Sequence, residues 1–137
     1  MNLMALKCGS KILDLSRPAV MGILNITPDS FSDGGQLYSG AALDLDKALR
    51  AVERMLVEGA DIIDIGGEST RPGAAAVTQD QELDRVMPVL HGIIERFDPL
   101  ISVDTSNPQV IKEAAMGGAH MINDVRALTR QGALEAA

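Results

Sequence analysis

Four short apolar runs, each ending in a polar side chain and each followed by a helix-forming stretch, constrain this chain more than any other feature. Residues 20–24 stop at Asn25. Asp61-Ile62-Ile63-Asp64-Ile65 opens into Gly66-Gly67-Glu68-Ser69-Thr70-Arg71-Pro72-Gly73. Leu100-Ile101-Ser102-Val103 stops at Asp104-Thr105, and His120-Met121-Ile122 stops at Asn123-Asp124. Their length and β-branched content predict buried strands. Leu45, Ala48, Leu49, Val52, Met55 and Leu56 fall on one face of a helix over about 41–58, with Ser39 as its cap and Gly59 ending it. Thr78-x-x-Gln81 is a capping box for a second helix whose apolar face is Leu83, Val86, Met87, Val89, Leu90, Ile93 and Ile94, with Pro88 as a point of kinking. Asn107-Pro108 opens a third helix to about Met116, and a fourth begins at Gly132. Residues 4–19 alternate around Gly9-Ser10-Lys11, as a small hairpin does.

Strict alternation of strand and helix predicts a parallel sheet with right-handed crossovers. The spacing is that of a TIM-type (β/α)8 barrel, which takes about 250 residues. The expectation is therefore that residues 1–137 form the N-terminal half of a single barrel domain. That half holds about the first four β/α units behind a short N-terminal hairpin and stops inside the fourth helix. A doubly wound sheet is the alternative, but the first loop has no G-x-G-x-x-G and no P-loop lysine.

Composition removes several functions. With 19 Asp and Glu against 12 Lys and Arg, the net charge is −7 and no basic stripe is visible, which argues against nucleic acid as a partner. One Tyr, two Phe and no Trp leave no stacking platform for single strands. No apolar run approaches the ~20 residues of a membrane span. Cys8 is the only cysteine, so no internal disulfide forms. The expectation is a soluble, cytoplasmic protein.

In parallel β/α architectures the C-terminal strand ends share one face, so Asn25, Glu68, Thr70, Asp104, Asn123 and Asp124 should converge there. One polar strand end is a turn former, whereas four in succession point to a ligand site. No Cys-His or Ser-His arrangement exists, because Cys8 lies in the hairpin, His91 on a helix and His120 at the opposite strand end. No zinc spacing exists either. Carboxylates and carboxamides suit a nitrogen-rich heterocycle. Asn25 and any nearby carboxylate are also hard oxygen ligands, of the kind Mg²⁺ takes one or two of beside phosphate oxygens and water. Arg71 is the loop cation best placed for an anion. Asp64, inside its strand, is as well explained by a buried structural hydrogen bond as by ligand contact, and Asp29, Asp33 and Asp124 read as turn or capping residues.

Asn25-Ile26-Thr27-Pro28-Asp29-Ser30-Phe31-Ser32-Asp33-Gly34-Gly35 resembles the first signature of the dihydropteroate synthase family, and residues 61–73 resemble the second. Ile101-Ser102-Val103-Asp104-Thr105 and Ile122-Asn123-Asp124-Val125 resemble its third and fourth strand ends. The likeness runs from about residue 10 to the last residue. It implies a β/α barrel that joins p-aminobenzoate to the methylene of 6-hydroxymethyl-7,8-dihydropterin diphosphate, giving 7,8-dihydropteroate and diphosphate in folate synthesis. It also implies a cytoplasmic protein that is a homodimer at full length. By the same resemblance Asn25 is the Mg²⁺ position, Asp104 and Asn123 contact the pterin, and Thr70 contacts substrate. Phe31, Ser69, Arg71 and Pro72 rim the p-aminobenzoate site where sulfonamides compete, on two loops that close over the substrates.

The family's later pterin Asp, its Lys and its Arg-x-His lie on later strands and have no counterpart here. The expectation is thus that the 137-residue chain alone is inactive. A non-catalytic pterin-binding half-barrel and a folate-dependent methyltransferase barrel are the alternatives, the second disfavoured by the two loops.

Overall fold

The computed structural model describes residues 4–28, 37–39 and 42–137. In chain order the elements are β1 (Ala5–Cys8), β2 (Lys11–Asp14), β3 (Met21–Asn25), β4 (Tyr38–Ser39), β5 (Ala42–Leu43), α1 (Leu45–Val57), β6 (Ile62–Gly66), α2 (Gln79–Arg96), β7 (Leu100–Asp104), α3 (Pro108–Met116), β8 (Met121–Asn123) and α4 (Ala133–Ala136). Strands β3, β6, β7 and β8 form one parallel sheet in that order. β6 is buried along its whole length and β7 along all but its last residue, as continuous apolar runs in a covered parallel sheet require. The chain is an α/β partial barrel with an N-terminal hairpin.

Successive residues of a strand face opposite ways, so one side of the sheet carries Leu24, Ile63, Ile65, Ile101, Val103 and Ile122. The helices cover that side with Ala48, Leu49 and Val52 from α1, Val86, Val89, Leu90 and Ile93 from α2, and Val110 and Ala114 from α3. The other side carries Asp104 and Asn123 at its top, Asp64, Ser102 and Met121 one layer down, and a lower layer of Ile62 and Leu100. Cys8 and Leu13 of the β1–β2 hairpin pack beneath that lower layer and close the bottom of the sheet. The hairpin turns at Gly9, whose φ of +60° favours glycine.

Helix starts follow their side chains. Thr78 and Gln81 make both bonds of the capping box, and Asn107 Oδ1 accepts from the Gln109 N–H at 2.9 Å, with Pro108 opening α3. Helix α2 runs unbroken through Pro88. The first helix starts later than its periodicity predicts. Ser39 pairs with Ala42 in the small β4–β5 ribbon, and the cap is Asp44, whose carboxylate accepts from the Lys47 N–H at 3.0 Å. His120 Nδ1 accepts from the Ile101 N–H at 3.1 Å, at the strand entry and away from the strand ends. Burial holds its pKa below the usual imidazole value, with Lys11 contributing.

Candidate active site

The parallel register aligns the four strand ends in one row. Asn25 lies beside Gly66, Gly66 beside Asp104, and Asp104 beside Asn123. Gly66 presents no side chain, so the row holds an open place between Asn25 and Asp104. A Cβ there would come within 3.4 Å of the Asp104 Cβ and begin to fill it.

The loop after β6 is pressed onto α2 because Gly67 has no side chain. A Cβ at Gly67 would lie 3.1 Å from Val86 Cγ2 and 3.2 Å from the Glu82 carbonyl oxygen. Arg85 Nη1 donates to the Gly67 carbonyl at 2.8 Å. The next residues then bend over the row, with Ser69 Oγ accepting from the Arg71 N–H at 3.3 Å. Together Asn25, Thr27, Glu68, Ser69, Thr70, Arg71 and Asp104 line a polar cavity of about 100 Å³. The structure thus brings six of the sequence-predicted residues, Asn25, Glu68, Ser69, Thr70, Arg71 and Asp104, around one space. Asn123 stands in the same row but outside this lining. Pro72 is exposed and does not line it, and Phe31, Asp29 and Asp33 lie outside the described residues.

Charge at the row is concentrated on one sign. Burial pushes the Asp104 carboxyl up to about 6, and the nearby Asp64, Asp124 and Glu68 push in the same direction. Burial also raises Asp64, partly offset by Ser102 and Asn123 beside it. Such an acid cluster favours a ligand that brings N–H donors or a cation.

Two groups here, Glu82 and Arg126, are absent from the sequence-based list. Glu82 of α2 is buried, and its Oε1 accepts from the Thr105 hydroxyl at 2.5 Å. Thr105 Oγ1 in turn accepts from the Asn107 N–H at 3.1 Å, which ties the end of β7 to the start of α3. Burial raises the Glu82 pKa against that hydrogen bond. Arg126 is a second cation on this face, donating to Ser106 Oγ at 2.8 Å and lying 3.8 Å from Glu68 Oε2. Asp124 is a loop anchor, as read from sequence: its carboxylate accepts from Ser106 Oγ and from the N–H groups of Arg126 and Leu128. Those bonds outweigh its burial and hold its pKa low. They also sustain positive φ at Ala127 and Leu128, a strained pair. The spacing of Glu82, Val86, Val89 and Ile93 along one helix face was the available signal for Glu82.

Among the described residues no three His, Cys, Asp or Glu side chains gather as a metal cluster. A Mg²⁺ ion that keeps water and phosphate oxygens needs only one or two protein oxygens. The Asn25 carboxamide, with the oxygens of Thr27, Glu68 and Asp104 around the same cavity, fits that demand. A larger opening of about 610 Å³ lies at the other end of the strands, where its charges pair as Lys11–Asp98 at 2.7 Å and Arg17–Asp61 at 2.9 Å.

The chain is 59% identical over 125 residues to the dihydropteroate synthase of Escherichia coli (strain K12), a match that covers 91% of this chain and 43% of that protein. The solved structure of Yersinia pestis dihydropteroate synthase in a sulfonamide drug complex superposes with a TM-score of 0.89 at 59% identity, over 98% of this chain and 47% of that one. The Xanthomonas albilineans dihydropteroate synthase with 4-aminobenzoic acid gives 0.85 at 50% identity, over 96% and 47%. The chain thus spans about half the length of these relatives. A family model described as pterin binding enzyme matches residues 21–137, which include the whole row from Asn25 to Asn123, and the chain belongs to that family.

Proposed function

We propose that the protein is a dihydropteroate synthase and that the strand-end row is its pterin-facing wall. The substrates are 6-hydroxymethyl-7,8-dihydropterin diphosphate and p-aminobenzoate, and the products are 7,8-dihydropteroate and diphosphate. The observation that carries the reading is the row itself: Asn25, an open place at Gly66, then Asp104 and Asn123. It is supported by relatives of that name that are 59% identical over the same residues, and by solved relatives in complex with a sulfonamide drug or with 4-aminobenzoic acid.

In this reading Asp104 and Asn123 take the hydrogen-bonding edge of the pterin. A carboxyl held near 6 by burial and by its acidic neighbours is stabilised in its ionised form when ring N–H groups reach it. Asn25 would hold Mg²⁺, and the ion would supply positive charge to a leaving group that gains negative charge. Thr70 contacts substrate from the loop after β6, and Ser69, Arg71, Pro72 and Phe31 rim the place of p-aminobenzoate, where sulfonamides compete. The arylamine nitrogen bonds to the pterin methylene and loses a proton, while the carbon–oxygen bond to diphosphate breaks. No acid or base side chain is assigned. Placement and exclusion of water by the loops supply the rate, as a loose substitution requires. The fuller setting is a cytoplasmic protein, homodimeric at full length, of which residues 1–137 are the N-terminal half of the barrel domain.

Calorimetric titration of the chain with the pterin diphosphate, with and without Mg²⁺, tests this. Binding should strengthen with Mg²⁺, and N25A should remove that gain while leaving the Mg²⁺-independent part. Absence of binding in both conditions overturns the reading.

A further inference from the structure

One layer beneath the strand-end row, Asp64 and Ser102 stand side by side in the β6–β7 register, 3% and 0% exposed. Among the described residues, Asp64 Oδ1 and Ser102 Oγ are buried with no hydrogen bond of ordinary geometry, and Ser102 is the neighbour that most lowers the Asp64 pKa. The other oxygen has one partner. Asn123, at the end of β8, reaches across β7 so that its Nδ2 donates to Asp64 Oδ2 at 3.4 Å. The two carboxyl-bearing rows are therefore joined through a single carboxamide.

A carboxylate can only accept, whereas a carboxamide offers a donor at one end and an acceptor at the other. Asp64 therefore takes the NH₂ end of Asn123, and the carbonyl end is left for the ligand. No described residue donates to Asn123 Oδ1. We propose that Asp64 is a positioning residue that fixes the Asn123 carboxamide with its acceptor toward the ligand, and so selects a heterocycle edge carrying N–H donors. This rests on the reading of the row as a pterin site. With Asp104 beside it in register, the oriented Asn123 gives the row two neighbouring acceptors. That pattern matches adjacent N–H groups on a 2-aminopyrimidine ring and rejects an edge that offers only acceptors. Without Asp64 the carboxamide turns freely, and half of its orientations meet a ligand N–H with another N–H.

The test measures calorimetric affinity of the full chain for 6-hydroxymethyl-7,8-dihydropterin diphosphate in wild type, D64N and the exchanged double variant D64N/N123D. D64N keeps the shape but lets position 64 donate as well as accept, and should weaken binding about tenfold, the worth of one hydrogen bond. In the exchange, the amide at position 64 donates to the carboxylate at position 123, whose second oxygen again faces the ligand, so affinity should recover most of that loss. A merely structural role for Asp64 predicts no such recovery. D64N binding as tightly as wild type, or a double variant no better than D64N, overturns the proposal. In ligand-free protein one Nδ2 proton of Asn123 should resonate downfield of its position in D64A. If wild type binds no pterin diphosphate, the functional reading falls by itself and this resonance decides the pairing: a shift sustains it, and coincidence with D64A overturns it.

Discussion

Asp104 is the residue where the site's physics is most exposed to measurement. Its folded pKa of about 6 lies above the ordinary aspartate value of 3.8, so between these values the folded chain holds a proton that the unfolded chain has lost. Stability then falls as pH rises from about 4 through about 6 and levels off above. Asp64 and Glu82 are raised as well and act in the same direction. The melting temperature of ligand-free wild type should therefore drop over this interval, and D104N should drop less; equal slopes would remove Asp104 as a source. The strand-end residues themselves were legible in sequence, because a polar residue that terminates an apolar strand is a local signal. Asp64 was legible only as an ambiguity. Its pairing with Asn123 spans 59 positions and depends on β7 lying between them, which no local pattern states. Arg126 was invisible for the same reason: its approach to Ser106 and Glu68 is made by the fold.

At the scale of elements, caps and faces decide the outcome. Both bonds of the Thr78 box form, so T78A should cost about 1 kcal/mol, read by denaturant melts. Where α1 and α2 meet, Gly92 faces Leu49, and a Cβ would lie 2.9 Å and 3.1 Å from its two methyl groups. Leu49 is buried in the core and has nowhere to retreat. Alanine gains about 1 kcal/mol in helix propensity, but overpacking costs about 1–3 kcal/mol, so G92A should lower the melting temperature; a rise would show that the helices separate freely. Strands, helices and the capping box followed from periodicity and end signals. The start of α1 did not, because Ser39 and Asp44 are both good caps and only the β4–β5 pairing of Ser39 with Ala42 assigns the role to Asp44. Glu82 was passed over because a charged residue on a helix face is ordinarily solvated. Its burial requires the Thr105 hydroxyl, which is supplied by another unit of the fold.

For the whole molecule, sequence alternation was enough to give a parallel sheet in chain order, and the order β3-β6-β7-β8 follows it. The role of the hairpin was not readable, since Cys8 and Leu13 meet Ile62 and Leu100 only once the sheet exists. Recessed places lie at both ends of the strands, the acidic row with its small cavity at one and the larger opening beside Lys11, Arg17, Asp61 and Asp98 at the other. We assign the pterin to the first. Nuclear magnetic resonance mapping of the chain titrated with the pterin diphosphate and Mg²⁺ tests this most directly. With the pterin at the row, the backbone amides of Asn25, Gly66, Asp104 and Asn123 should shift together while those of Lys11, Arg17 and Asp98 stay in place. Shifts confined to the hairpin end, or none at saturating ligand, would contradict it.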